Sequence, residues 1–249
     1  MAIKTPFSQN NFEAILARYD LGGFARAEAV RQGTVQTNYV VNTTEGKFVF
    51  RYYENRSKES VLFETELLTH LTAHQYPCPA PLMDRQGACV GTHQSKPFVI
   101  FEFIAGKHIE HPSERQWQQL AEKAAELQKL TMGYQSSYTP YRWNYGPDLC
   151  RALAQTEAVK IDTRDAYEKQ AWLSRELSTL QLPQSLPKTI CHCDFHFSNV
   201  LFREGRFAAL IDFDDANYTY AQFDLVGLME YWAWPNYADL LDLTRARIM

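Results

Sequence analysis

The sequence predicts an α+β chain of two lobes, a small β-rich amino-terminal lobe with one main helix and a larger, mostly helical carboxyl-terminal lobe. Three observations predict it. Over the first hundred residues the hydrophobic periodicity runs strands, one helix, more strands; after Gly106 it turns helical; and 249 residues with 45% hydrophobic and 14% aromatic content can bury a core for both lobes. The boundary is placed to give lobes of 1–105 and 106–249.

Taken in order, Phe12, Ile15, Leu16 and Tyr19 give the start of the chain a helical apolar face. VVNTTEGKFVFRYY is apolar on both sides of Glu45-Gly46, the pattern of a β-hairpin. SKESVLFETELLTHLTAH repeats Val61, Leu62, Leu67, Leu68 and Leu71 at helical spacing, and the PCPAP that follows cannot continue a helix. KPFVIFEFI reads as a buried strand. Beyond Gly106, Ser113 and Gln116 have the spacing of a capping box, ahead of a helix with Trp117, Leu120, Ala121, Ala124, Leu127 and Leu130 on one face. A Tyr- and Pro-rich loop at 134–148 leads into a second helical region ending near Leu180, which LPQSLPK breaks. NVLFREGRFAALIDFDDA then reads as a hairpin turning at Glu204-Gly205.

Composition narrows the function classes. The chain has 25 basic and 29 acidic residues, a net charge of -4, and neither sign gathers into a block. It shows no nucleic-acid or membrane footprint, so the expected partner is a small molecule. The amino terminus lacks the apolar run of a secretory signal, and PFVIFEFIA is too short to span a bilayer and carries Glu102, so a cytoplasmic location is expected. Five scattered cysteines, an odd number, fit reduced thiols better than a disulfide framework.

The stretch 190–203, ICHCDFHFSNVLFR, concentrates the polar chemistry. Cys191, His192, Cys193 and His196 lack the paired ligand spacing of structural zinc sites and are expected to pack and support the loop. Asp194 and Asn199 lie five positions apart on a loop entering a strand. With the turn at Glu204-Gly205, Asn199 is expected opposite Leu210, which puts Asp212 diagonally across on the same face, roughly 7 Å away between backbones. The Asn199 amide oxygen and the Asp212 carboxylate are hard ligands suited to Mg²⁺. Asp194 has room to accept the proton of a hydroxyl attacking a γ-phosphate. His192-x-Asp194-x-x-x-x-Asn199 followed by Asp212 has the spacing of the kinase catalytic loop and its metal-binding Asp. Asp214 and Asp215 read as solvated or supporting, and Asp224 as structural.

HCDFHFSNVLF followed by LIDFDDA resembles the H-G-D-x-H-x-x-N-V/I-L and I-D-F-x-x-A motifs of the aminoglycoside phosphotransferase and homoserine kinase type II superfamily. FDL, with Asp224, resembles that family's Y-D-L, and QGTVQTNYVV its nucleotide loop, G-x-x-N-x-N-F/Y-x-V, with Gln36 for the first Asn. The resemblance covers about residues 20 to 232. It implies a protein-kinase-like fold whose 1–105 lobe binds nucleotide and whose 106–249 lobe carries catalysis and the acceptor. It implies ATP and Mg²⁺ as cofactors, with Asp194 catalytic and Asn199 and Asp212 as metal ligands. Gly33, Thr34, Asn38, Arg51, Glu64, Glu102 and Ile104 would bind the nucleotide: Gly33, Thr34 and Asn38 from the loop, Glu102 and Ile104 from the hinge strand that holds adenine.

This chain departs from the pattern in two further places. Arg51 stands where kinases have a phosphate-pairing Lys, and the two cations are not equivalent. Its helix partner is Glu64, with Glu66 the alternative. Relatives continue further in helix after Y-D-L, so part of the acceptor wall is expected to be missing or supplied differently. Tyr218, Tyr220, Tyr231, Trp232, Trp234 and Tyr237 either line that wall or pack the last helix, with Trp232 expected in the core. The expected acceptor is a small hydroxylated molecule, an amino alcohol such as homoserine first and an aminoglycoside or sugar second. The rival of another class is a nucleotide-binding pseudokinase.

Overall fold

The computed structural model describes residues 4–30, 35–143 and 146–233. Gly33, Thr34, Trp234 and Tyr237 lie outside the described residues. The first layer is a five-stranded antiparallel sheet in the order β1-β2-β3-β5-β4, with β1 Phe24–Ala29, β2 Thr37–Thr43, β3 Lys47–Tyr52, β4 Val90–His93 and β5 Lys96–Glu102. Strand β1, FARAEA, is an edge strand with no fully buried residue, and its pairing to β2 reveals it.

Alternation along β5 assigns its two faces. Phe98 and Ile100 pack with Phe12, Ile15 and Leu16 of α1 (Gln9–Leu16), while Val99 and Phe101 pack with Leu67, Leu68 and Leu71 of α2 (Lys58–Ala73). Ser57 caps α2, its hydroxyl accepting the Ser60 N–H at 3.2 Å.

After β5 the chain reaches the helical layer through Gly106. A Cβ there would lie 2.8 Å from Leu201 Cβ and 3.3 Å from Phe202 O. Only glycine allows the close approach in which Lys107 and Phe202 exchange two backbone hydrogen bonds of 2.9 Å.

The second layer holds α3 (Glu114–Leu130), α4 (Pro147–Ile161), α5 (Arg164–Thr179) and α6 (Gln222–Ala233). Two ribbons run between them: β6 (Lys188–Cys191) with β9 (Asn217–Tyr220), and β7 (Val200–Arg203) with β8 (Arg206–Leu210). Gln116 Oε1 accepts the Ser113 N–H at 2.8 Å, as the capping-box spacing predicts. The second helical region, read from sequence as one, is two: Asp162 adopts a left-handed φ of 46° and Thr163 caps α5. Leu120, Ala124 and Leu127 of α3 join Leu67, Val99, Ile190, Val200 and Leu210 in one core that runs from sheet to helices. Each of the Leu, Val and Ile side chains among them contributes about 1.5–3 kcal/mol by burial. No helix among the described residues is long and apolar enough to cross a membrane.

Candidate active site

The first wall of the site is built on β3. The sheet register sets Asn38 opposite Arg51, and Asn38 Oδ1 accepts from Arg51 Nε at 3.0 Å. Helix α2 brings Glu64 Oε1 to 3.6 Å from Arg51 Nη1, and Asp212 Oδ1 lies 2.8 Å from the same nitrogen. Burial works against the Arg51 charge, and Asp212, with Tyr53 and Glu64, more than offsets it, so the guanidinium stays ionised. Burial pushes the Glu64 carboxyl up to about 7 against the pull of Arg51. The helix partner of Arg51 is thus Glu64; Glu66 instead accepts from Ser136 Oγ at 2.8 Å.

Hairpin β7–β8 carries the second wall. Its turn is at Glu204-Gly205, both with left-handed φ (53° and 73°), as a tight hairpin turn requires. The expected pairing of Asn199 with Leu210 is off by one residue. Arg203 faces Arg206, but the register shifts after Phe202, leaving Ala208 as the extra residue, and Val200 faces Leu210. Asn199 therefore lies beside Ile211, whose N–H donates to Asn199 O at 2.8 Å, and Asp212 follows directly. Asp212 itself takes a left-handed φ of 68° at the entry to a 3₁₀ turn, Phe213–Asp215.

In the loop before β7, Asn199 Nδ2 donates to Asp194 O at 2.9 Å and to Asp194 Oδ2 at 2.7 Å. Both amide hydrogens are occupied there, which leaves Asn199 Oδ1 as the atom that could face a cation. Burial pushes the Asp194 carboxyl up, but hydrogen bonds from His196 and Asn199 outweigh it and hold the group below the usual carboxylate range. His192 is fully buried, with Nε2 3.0 Å from Ile211 O, and burial lowers its pKa.

Asp224 on α6 accepts the backbone N–H groups of His192 at 2.8 Å and Cys193 at 2.9 Å. This fastens the loop at Cys193, whose φ of 65° lies in the region that favours glycine, the residue the resembled motif has there. Burial pushes the Asp224 carboxyl up to about 6 despite those two donors. Cys191 Sγ is 3.3 Å from Tyr220 O, so the cysteines and His192 turn to separate backbone carbonyls.

Several residues of this site escape sequence reasoning. Asp214 is not solvated but buried, bound by Arg56 Nε at 2.9 Å and Gln36 Nε2 at 2.8 Å, and Arg56 Nη2 also reaches Asp215 at 2.6 Å. Arg142, buried in the Tyr- and Pro-rich loop, donates to the carbonyls of Ser60, Phe213, Asp214 and Ala216 and to Ser60 Oγ, at 2.5–3.1 Å. Together these arginines fasten the start of α2 to the segment behind Asp212. The partners of Arg56 and Arg142 lie far off in sequence, and no local pattern announces them. Gln36 alone carries a signal, its place in the nucleotide-loop pattern.

Two cavities meet at this constellation. One, of about 560 Å³, is lined by Val30, Val49, Leu201 and Ile211 and by Asn38, Arg51, Glu64, Glu102, Ile104, Asn199 and Asp212. The other, of about 860 Å³, has Asp194 and His196 beside Phe195, Tyr218, Tyr220 and Phe223. The first thus collects every described residue expected to hold nucleotide or metal, and Asp194 lies on the second. The donor set fits a hard cation: the amide oxygen of Asn199 and the carboxylate of Asp212, which is 40% exposed.

A five-stranded sheet with one helix packed behind its central cation, set over a helical layer that presents Asp194, Asn199 and Asp212, defines a protein-kinase-like phosphotransferase. Solved structures share the fold. The amicoumacin kinase hAmiN in complex with AMP-PNP, Ca²⁺ and Ami superposes with a TM-score of 0.71 at 17% identity, over 94% of this chain and 77% of that one. The gentamicin-APH(2")-IIa complex gives 0.67 at 18% identity, over 90% and 76%. The chain belongs to the phosphotransferase enzyme family, APH, whose model matches residues 26–245. Among curated relatives, a homoserine kinase of Rhodospirillum rubrum is 30% identical, over 100% of this chain and 77% of its own length. One from a Caulobacter species is 29% identical, over 100% and 78%. The chain is a small-molecule phosphotransferase.

Proposed function

We propose that the chain transfers the γ-phosphoryl group of ATP to the hydroxyl of a small amino alcohol, homoserine first, with Asp194 as the catalytic residue. One observation carries this reading: Asn199, on the first cavity, is hydrogen-bonded to Asp194, on the second, so a phosphoryl donor and an acceptor bound in the two would meet at that contact. Asp194 orients the acceptor hydroxyl and takes its proton as the oxygen attacks phosphorus and ADP leaves. Its lowered pKa suits a group that positions the hydroxyl and accepts the proton late.

Residues 1–105 would hold the nucleotide and 106–249 the acceptor. Val30, Val49, Leu201 and Ile211 would sandwich the adenine, with the Glu102 carbonyl and the Ile104 N–H on its edge. Arg51, steadied by Asn38 and Glu64, offers its fork to the phosphates. Gly33 and Thr34 are assigned to the same phosphates. Asn199 and Asp212 would hold Mg²⁺, which when bound supplies neutralising charge to the phosphate oxygens.

Homoserine leads because the curated relatives at up to 30% identity are homoserine kinases. An aminoglycoside or sugar is the second reading, prompted by the fold neighbours. All five cysteines are free, which fits a cytoplasmic enzyme. ATP consumption screened across amino alcohols, sugars and aminoglycosides tests the proposal. Turnover that requires L-homoserine supports it, and turnover with an aminoglycoside alone moves the assignment to the second reading. An ATP-induced rise in melting temperature without turnover on any acceptor identifies a pseudokinase.

A further inference from the structure

A hydrogen-bonded run of three side chains joins the two cavities: Ser198 lines the first, while His196 and Asp194 line the second. His196 precedes the 3₁₀ turn Phe197–Asn199 and caps it, its Nδ1 accepting the Ser198 backbone N–H at 3.2 Å. A backbone N–H can only donate, so Nδ1 of the neutral ring bears no proton and the ring hydrogen sits on Nε2. That Nε2 lies 2.9 Å from Asp194 Oδ1. Ser198 Oγ lies 2.6 Å from Nδ1 and, with that nitrogen unprotonated, is the donor of the pair. The other carboxylate oxygen, Oδ2, accepts from Asn199 at 2.7 Å.

We infer that His196 is a positioning residue for Asp194. It donates Nε2–H to Oδ1, with Ser198 selecting the tautomer, and so fixes the rotation at which the carboxylate meets the acceptor hydroxyl. The inference rests on the role proposed for Asp194. Donors on both oxygens hold the carboxylate plane. With Asn199 alone, the group turns about a single hydrogen bond, and a misplacement of about 1 Å at a reacting centre costs on the order of 100-fold in rate.

Steady-state kinetics of the full chain with Mg-ATP and L-homoserine test this, with basal ATP hydrolysis, water as acceptor, measured beside it. His196→Ala should lower kcat on the order of 100-fold while leaving the KM for ATP unchanged. His196→Gln, whose amide nitrogen reaches as far as Nε2, should restore most of the loss; His196→Asn, which reaches only as far as Nδ1, should not. Ser198→Ala should cost less than His196→Ala, because the backbone N–H still sets the tautomer.

Wild-type kcat in His196→Ala overturns the inference, as does equal rescue by Gln and Asn, or a kcat that simply tracks melting temperature across the variants. If His196→Ala does not fold, the Gln and Asn variants decide. A wild type with no turnover on homoserine, on any other alcohol of the acceptor screen or on water overturns the functional reading itself and this inference with it. A wild type that turns over beside an unimpaired His196→Ala removes the inference alone.

Discussion

On the phosphate side of the site three largely buried arginine side chains find partners across the chain: Arg51 with Glu64 and Asp212, Arg56 with Asp214 and Asp215, and Arg142 with four backbone carbonyls. On the acceptor side the wall is looser. Asp148 there is fully exposed and paired with Arg151 three residues on, and Leu180 and Val226 are 50% and 62% exposed. Buried charges tolerate one arrangement, since a partner removed leaves an uncompensated ion in low dielectric. The phosphate side is therefore fixed in one geometry. The outer part of the acceptor side, around Asp148, Leu180 and Val226, can change without disturbing it, which fits a family whose members act on different alcohols.

Breaking the chemistry between the two sides should have the largest effect. Asp194→Ala should lower kcat by about 10²- to 10⁴-fold while ATP still raises the melting temperature, read by steady-state kinetics and a thermal shift. Next, Arg56→Met should strand Asp214 and cost about 3–5 kcal/mol, measured by urea unfolding. In a chain of this size that corresponds to roughly 2–4 °C of Tm per kcal/mol.

Arg51→Lys retains the charge but loses the fork that reaches Asn38 and Asp212 together. ATP affinity should fall about tenfold, the worth of one charge-assisted hydrogen bond of about 1.5 kcal/mol, by calorimetry.

A smaller effect follows from Asp224. A carboxyl raised on folding to about 6 binds its proton more tightly in the native state. Its contribution therefore favours the fold at low pH and is lost as pH rises from about 4 to about 6. Asp224→Asn should flatten unfolding free energy against pH over that window. At the other extreme, Trp172→Ala on the outer helix α5, where the ring is 54% exposed, should change stability by no more than about 0.5 kcal/mol.

The same contrast marks what the sequence discloses. Asp194 and Asn199 are legible because five residues of one loop join them, and that spacing survives any packing around it. The hairpin that brings in Asp212 is legible from its alternation and its Glu-Gly turn. Its register is not, because a bulge at Ala208 leaves the alternation almost unchanged while shifting every partner beyond it. Arg51 and Glu64 could be paired only by resemblance. Arg56 and Asp214 meet across 158 positions, and Arg142 meets Ser60 across 82, so their burial belongs to the folded chain alone. An Arg in a Tyr- and Pro-rich loop otherwise reads as an exposed charge.

The most direct test of the account is transfer itself: isotopically labelled γ-phosphoryl ATP incubated with L-homoserine and either the wild-type chain or Asp194→Ala, with the products resolved by mass. Label is expected on the homoserine hydroxyl with the wild type and none above background with Asp194→Ala. Equal labelling by both proteins, or ATP binding with no labelled acceptor from homoserine or any other alcohol, would contradict it.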